Sequence, residues 1–281
     1  MSLSNIKRIY RIHYGEDKNQ FGDLRLPDGD GPFPVAILIH GGFWREKSGL
    51  DQMNKMAESL TNRGIATWNI EYRRVGQEGG GWPGTLQDNA QATDYLRTIS
   101  SNYPLDLNRI ITIGHSAGGH LALWLAARPQ LPTSSILKTS NPLELKGVIS
   151  LAGVCDLSLM YEVHQLKELM TGIKDNPTKD LIGGSPQDFQ DRYDESSPVK
   201  LLPICVPQIL VHGSLDINVP IGISEKFGKL ARDAGDTVTL KKIDSAEHFK
   251  IIDPETQEWS MFVDDIISLV TSDDCTVIKP I

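Results

Sequence analysis

The sequence predicts an α/β fold with a mostly parallel sheet, and two observations support this prediction. Short apolar runs, typical of strands buried on both faces, recur along the chain, and segments with helical spacing stand between them. Such alternation places helices on both faces of a parallel sheet, with right-handed crossovers. The chain has 281 residues, 40% of them hydrophobic, which suffices for one domain over residues 1–281.

Each element follows from its own pattern of apolar residues and turn residues. The predicted strands lie within residues 6–15, 20–27, 35–40, 65–72, 109–114, 145–153, 207–213 and 237–243. The predicted helices lie within residues 51–64, 85–103, 118–128, 158–172, 223–235 and 256–270. Residues 156–203 interrupt the alternation and contain a polar run, so we expect a cap or lid insertion there.

Composition and charge exclude several classes of partner. The net charge is −8 and no cluster of lysines and arginines forms a basic stripe, so no nucleic acid is expected. No apolar run could span a membrane, and the N-terminus lacks the apolar segment of a signal peptide. The three cysteines are far apart, without metal-site spacing. We therefore expect a cytoplasmic protein without a cofactor or metal.

A predicted strand ends in the motif Gly114-His115-Ser116-Ala117-Gly118, and a predicted helix follows it. A serine on a sharp strand-to-helix turn sits in strained backbone space, where a Cβ on a neighbouring residue would collide with the adjoining elements. The turn lifts the hydroxyl above the sheet and directs the free N–H groups of the helix at it. Ser116 is therefore the candidate nucleophile.

A serine nucleophile needs a base and a group that orients the base, which follow it in this chain order as acid and then histidine. Only His248 lies in a loop late enough in the chain, between the last predicted strand and the last predicted helix. Asp216 follows the preceding strand, where its carboxylate could accept the imidazole Nδ1–H. Asp244 and Glu247 are rival carboxylates, but they lie very close to His248 in sequence.

The oxyanion that forms during acyl transfer needs hydrogen-bond donors. The loop after strand 35–40 contains Gly41 and Gly42, whose lack of a Cβ lets the backbone approach a substrate. We predict an oxyanion hole formed by the N–H groups of Gly42, Phe43 and Ala117. His40 is expected to brace this loop by hydrogen bonding.

These motifs together resemble the α/β-hydrolase superfamily over about residues 20–270. Within it, His-Gly-Gly-Phe-Trp at 40–44 is similar to the signature of small esterases and of the kynurenine formamidase-like group. The chain departs from esterases of the hormone-sensitive-lipase type at Phe43, where those have a third glycine. The resemblance favours the formamidase-like branch and also fits dipeptidyl-peptidase-like hydrolase domains, although no region of propeller size precedes the motifs.

The sequence thus predicts a serine hydrolase that cleaves a small carboxylic ester or an arylformamide through an acyl-enzyme. The alternatives are a dipeptidyl-peptidase-like amide hydrolase and a non-catalytic binding protein of the same fold. Trp44, Trp82 and Tyr161 are predicted to line the substrate pocket. The expected partners are a small-molecule ester or formamide and a second copy of the chain in a homodimer.

Overall fold

A computed structural model describes residues 9–272, which form one eight-stranded sheet. The strands are β1 (Ile9–His13), β2 (Phe21–Arg25), β3 (Phe33–Ile39), β4 (Ala66–Ile70), β5 (Leu105–His115), β6 (Gly147–Leu151), β7 (Gln208–Gly213) and β8 (Val238–Ile243). Their order across the sheet is β1-β2-β4-β3-β5-β6-β7-β8. The six strands from β4 to β8 in this order are parallel, whereas β1 and β2 are antiparallel to their neighbours. The predicted mostly parallel α/β fold is confirmed.

Helices connect the strands and cover both faces of the sheet. They are α1 (Asn54–Thr61), α2 (Gly84–Asp94), α3 (Leu96–Ile99), α4 (Ala117–Ala127), α5 (Leu157–Thr171), α6 (Pro177–Ile182), α7 (Gln190–Ser196), α8 (Gly222–Asp233), α9 (Gln257–Ser260) and α10 (Val263–Thr271). Among residues 9–272, no helix combines the length and the apolar character that crossing a bilayer would need.

The hydrophobic core has two layers because successive residues of a strand point to opposite faces of the sheet. In β3, Ala36 and Leu38 join a cluster that contains residues of α1 and α10. Val35, Ile37 and Ile39 of the same strand join the other cluster, with residues of α2, α4 and α8. The strands thus carry apolar side chains on both faces, which explains their unbroken apolar runs.

The C-terminal helix differs from the prediction. The apolar spacing over residues 256–270 predicts one helix, but the structure contains two, α9 and α10, separated at Met261 and Phe262. Trp259 and Phe262 are both buried, and their rings pack edge to face at 5.2 Å. Both aromatic rings belong to the same core layer as α1.

The insertion, residues 156–203, lies between β6 and β7 and contains α5, α6 and α7. The carboxyl ends of parallel strands meet at one edge of the sheet, so the insertion starts at the edge where β3, β5, β7 and β8 also end. Arg45, in the loop after β3, contacts Asp175 and Asp180 of the insertion at 2.6 Å each. The insertion is thereby tied to the predicted oxyanion loop.

Candidate active site

Ser116 occupies the sharp turn between β5 and α4. Its φ is +56° and its ψ is −118°, a conformation that side-chain-bearing residues rarely adopt. The motif glycines make this turn sterically possible. A Cβ at Gly114 would lie 1.9 Å from the carbonyl oxygen of Gly118, and a Cβ at Gly118 would lie 2.1 Å from the carbonyl oxygen of Ile39. Small residues at these positions are therefore a packing requirement of the turn.

The predicted acid and base are in direct contact. His248 Nδ1 lies 2.6 Å from Asp216 Oδ2, and both side chains are almost completely buried. Because the carboxylate can only accept, Nδ1 carries the proton and donates it, which leaves Nε2 as an acceptor. The His248 ring packs on the ring of His115, the residue before Ser116, with 4.5 Å between ring centres. The base is therefore held against the turn that carries the serine.

Both carboxylate oxygens of Asp216 accept hydrogen bonds. Its Oδ1 accepts the backbone N–H groups of Asn218 and Val219 at 2.8 and 2.9 Å. Its Oδ2 accepts from His248 and lies 3.3 Å from His212 Nε2. Burial alone would raise the pKa of Asp216, but the hydrogen bonds from His212, His248 and Val219 outweigh it and hold the pKa well below its usual range.

The two rival carboxylates are engaged elsewhere. Asp244 Oδ1 accepts the hydroxyl of Ser214 at 2.9 Å, and Glu247 Oε2 accepts the backbone N–H of Phe249 at 3.0 Å. Both acids are exposed. Of the three acids that the sequence singles out, only Asp216 is hydrogen-bonded to the His248 ring in the described chain.

The loop after β3 has an unusual backbone. Gly42, Phe43 and Trp44 follow one another with φ values of +103°, +51° and +58°. The N–H groups of Gly42 and Phe43 have no acceptor among residues 9–272, and the N–H of Ala117 opens α4, where helix geometry provides no partner. A Cβ at Gly41 would lie 3.0 Å from Ser116 Cβ, so this backbone passes directly beside the serine.

Buried polar contacts hold the loop in place. His40 Nε2 lies 2.9 Å from Glu71 Oε1 and His40 Nδ1 lies 2.8 Å from the carbonyl oxygen of Gly41, in agreement with the expected bracing role. Burial alone would raise the pKa of Glu71, but the hydrogen bond from His40 and the charges of His40 and Arg74 hold it below its usual value. Gln52 Oε1 accepts the N–H of Gly41 at 2.6 Å.

The three predicted pocket residues lie in different surroundings. Trp44 is completely buried and donates its indole N–H to His120 Nδ1 at 3.1 Å, so it supports the loop from behind and offers no surface to a substrate in this structure. Trp82 is half-buried, with the Arg192 guanidinium 4.2 Å from its ring centre. Tyr161 of α5 is buried and packs edge to face on Tyr193.

The structure also brings together residues that the sequence analysis does not assign to the site. The contact between the His115 and His248 rings has no local signal, because the two residues are 133 positions apart. His212 approaches Asp216 from the end of β7, and its position four residues before Asp216 is a signal that could have been used. His164 of α5 packs edge to face on Phe43 at 5.3 Å. Among residues 9–272, no group of three or more His, Cys, Asp or Glu is placed to hold a metal ion.

Comparison with known families gives a match over most of the sheet. The BD-FAE family matches residues 23–230, which include the second half of β2, all of β3 to β7 and the serine turn. The chain belongs to the BD-FAE family. The match supports the predicted resemblance to α/β-hydrolase esterases, whereas nothing in the comparisons points to the kynurenine formamidase-like group.

Relatives in sequence and in structure agree with this assignment. The chain is 26% identical over 276 residues to a probable isoprenylcysteine alpha-carbonyl methylesterase of Oryza sativa subsp. japonica, covering 94% of this chain and 64% of the relative. It is 24% identical over 246 residues to the esterase EstD of Thermotoga maritima, covering 82% of this chain and 55% of the relative. The chain thus spans about half to two thirds of the length of these relatives.

Among solved structures, a truncated carbohydrate esterase from gut microbiota superimposes with a TM-score of 0.80 at 21% identity, covering 96% of this chain and 99% of that one. Esterase B of Lactobacillus rhamnosis superimposes with a TM-score of 0.77 at 19% identity, covering 95% of this chain and 86% of that one. At such low identity the likeness concerns the fold, which is that of the α/β-hydrolases.

Proposed function

We propose that this protein hydrolyses carboxylic esters with Ser116 as nucleophile, His248 as general base and Asp216 as the group that orients the base. The observation that carries the proposal is the 2.6 Å hydrogen bond between Asp216 Oδ2 and His248 Nδ1. It leaves His248 Nε2 as an acceptor, on a ring packed against the turn that presents Ser116. The two relatives named above, a probable methylesterase and an esterase, support the same reaction class.

The first half of the proposed reaction forms an acyl-enzyme. His248 Nε2 takes the proton of Ser116 as Oγ attacks the carbonyl carbon of the ester. The oxyanion of the tetrahedral intermediate accepts hydrogen bonds from the free N–H groups of Gly42, Phe43 and Ala117. When the intermediate collapses, the C–O bond to the alcohol breaks, and His248 gives its proton to the leaving oxygen. In the second half, His248 takes a proton from water as the water oxygen attacks the acyl carbon. The bond from that carbon to Ser116 Oγ then breaks, His248 returns the proton to Oγ, and the acid leaves.

Asp216 supports both halves through its charge. The donors around its carboxylate keep it ionised, so it stabilises the imidazolium that forms on His248 and does not itself take the proton. Its hydrogen bond also fixes the Nδ1–H tautomer, which is the only neutral form with a basic Nε2 facing away from the acid.

We propose that Phe43 restricts the acyl side of the site. Phe43 carries its ring beside the proposed oxyanion hole, and His164 packs against that ring from the insertion. A glycine at position 43 would leave this volume open. We therefore propose that the substrate has a short acyl group and that its larger part lies on the alcohol side. Trp82 and Tyr161 are the proposed contacts of that alcohol part.

The test is hydrolysis of p-nitrophenyl acetate, butyrate and octanoate by the wild-type protein and by Ser116→Ala. Activity in the wild type that falls with acyl length, and is lost in Ser116→Ala, is the expected result. A fluorophosphonate probe should label the wild type and leave the variant unlabelled. Equal hydrolysis and equal labelling by both proteins would overturn the proposal.

N-formylkynurenine belongs in the same panel because the sequence motifs predict arylformamides as well as esters as substrates. The proposal expects kcat/KM for acetate to exceed that for the formamide by at least about a hundredfold, equal to about 2.7 kcal/mol in transition-state binding. The reverse preference would make the protein a formamidase with the same catalytic residues.

A further inference from the structure

The histidine before the nucleophile links two loops of the site. His115 is completely buried, and its Nε2 donates to the backbone carbonyl oxygen of His248 at 2.9 Å. Its ring packs on the His248 ring at 4.5 Å and on the Phe249 ring at 5.5 Å between centres. One side chain, fixed to the serine turn, thus contacts both the backbone and the ring of the proposed base.

The surroundings of His115 select one neutral tautomer. A carbonyl oxygen can only accept, so Nε2 carries the proton and Nδ1 is bare. Nδ1 lies 3.4 Å from Gln52 Oε1, which already accepts the N–H of Gly41. Burial, aided by the nearby His248, lowers the pKa of His115 to about 3, so the ring stays neutral when His248 gains a proton.

We propose that His115 is a positioning residue that holds His248 at the distance and angle needed to accept the Ser116 proton. This inference rests on the proposed function. Ser116 and His115 are consecutive residues on a closely packed turn, where the backbone around Gly114 and Gly118 leaves no room for a Cβ. The hydrogen bond from His115 to the His248 carbonyl therefore fixes the position of the base relative to the turn that carries the nucleophile.

Three substitutions separate this hydrogen bond from packing. In His115→Gln the amide nitrogen reaches about as far as the imidazole Nε2 and can still donate to the His248 carbonyl. In His115→Asn the amide ends near the position of Nδ1, and in His115→Phe the ring remains without a donor. We expect the Asn and Phe variants to lose about 10-fold to 100-fold in kcat. KM should stay near the wild-type value, and the Gln variant should recover most of kcat.

Thr112→Val is the matched control for loss of stability. Thr112 is buried in β5 and donates its hydroxyl to the carbonyl oxygen of Ala122 in α4 at 3.2 Å. The substitution thus removes one buried hydrogen bond between the same strand and helix, at a position that does not contact the His248 loop. The urea concentration at the unfolding midpoint of Thr112→Val should fall by about as much as that of the His115 variants. Its kcat should stay at the wild-type value.

The outcomes distinguish the inference from the proposed function. Wild-type kcat in the folded Asn and Phe variants would overturn the inference and leave the function standing. The same holds if Gln is no better than Asn, or if kcat in all variants, Thr112→Val included, simply follows stability. If Ser116→Ala hydrolyses esters as the wild type does, the proposed function fails, whatever the His115 variants show.

Discussion

At the scale of single residues, Asp216 is held by hydrogen-bond donors at both carboxylate oxygens. Its two oxygens accept from two backbone N–H groups and from His248, and His212 Nε2 lies 3.3 Å away. His212 Nδ1 lies 2.8 Å from Ser224 Oγ, whose hydroxyl can donate to it, which leaves the proton on His212 Nε2. A buried acid surrounded by fixed donors keeps its charge and its orientation, and both properties serve the base that it contacts.

The substitution Asp216→Asn tests the orienting role. An amide can present its N–H₂ to His248 Nδ1, which favours the tautomer with the proton on Nε2 and removes the basic atom facing the serine. We expect kcat to fall about 10³-fold to 10⁴-fold in steady-state ester hydrolysis. Asp244→Asn, which alters an exposed acid bonded to Ser214, should keep wild-type kcat. A small loss in Asp216→Asn would contradict the assignment.

The low pKa of Asp216 also predicts how stability depends on pH. The carboxyl titrates at about 3.9 in an unfolded chain and lower in the folded one, so its ionised form stabilises the fold at neutral pH. This contribution is lost as pH falls below about 4 toward the folded pKa. In urea unfolding, the gap in free energy between wild type and Asp216→Asn should shrink over that range. A gap that stays constant with pH would show that the carboxylate is not preferentially ionised in the folded state.

At the scale of elements, the loop after β3 and the turn after β5 are built to approach each other. The loop has three successive residues with positive φ, and the turn has a strained serine flanked by glycines. Local strain of this kind persists only where the surroundings impose it, and here buried His40 and Glu71 and half-buried Gln52 do so. This close approach is what the proposed oxyanion hole of Gly42, Phe43 and Ala117 requires.

Gly41→Ala tests this close approach. The new Cβ would lie 2.9 Å from the carbonyl oxygen of His115 and 3.0 Å from Ser116 Cβ, so the loop must move away from the serine. Losing an oxyanion donor costs about 10²-fold to 10³-fold in kcat, and we expect a loss of this size. Gly222→Ala, where the added Cβ meets open space at the start of α8, is the control and should leave kcat unchanged.

At the scale of the whole molecule, an ion pair between a buried arginine and a half-buried aspartate joins the end of α4 to α2. Arg128 is almost fully buried, and its Nη2 lies 2.5 Å from Asp94 Oδ1. The same carboxyl oxygen accepts the backbone N–H of Leu143 at 2.7 Å, in the long connection to β6. The pair therefore fixes the part of the molecule behind the serine helix, away from the proposed chemistry.

We expect Arg128→Met to lower the free energy of unfolding by about 1.5 to 3 kcal/mol, because it removes the charge-assisted hydrogen bonds of a buried guanidinium to Asp94, which still pairs with Arg97. The kcat of the folded variant should be that of the wild type. Lys229→Met, which breaks an exposed pair with Asp233 at 2.6 Å, should change stability by less than about 1 kcal/mol. Urea unfolding measures both, and equal effects would show that burial does not strengthen the α4 pair.

The amino-acid sequence determined the elements of this protein and the order of its candidate residues. Unbroken apolar runs, helical spacing and the glycines around Ser116 are local signals, since a few neighbouring residues set strand, helix and turn. The sequence also indicated Asp216 and His248, because loops that follow parallel strands meet at one edge of the sheet.

Only the tertiary structure decided which groups touch. It joined Asp216 and not Asp244 or Glu247 to the His248 ring, buried Trp44 behind its loop and divided the C-terminal helix. It also brought His115 to a carbonyl 133 residues away. Such contacts depend on the burial and hydrogen-bond needs of residues distant along the chain, and these are fixed only once the sheet, its loops and the insertion are packed together.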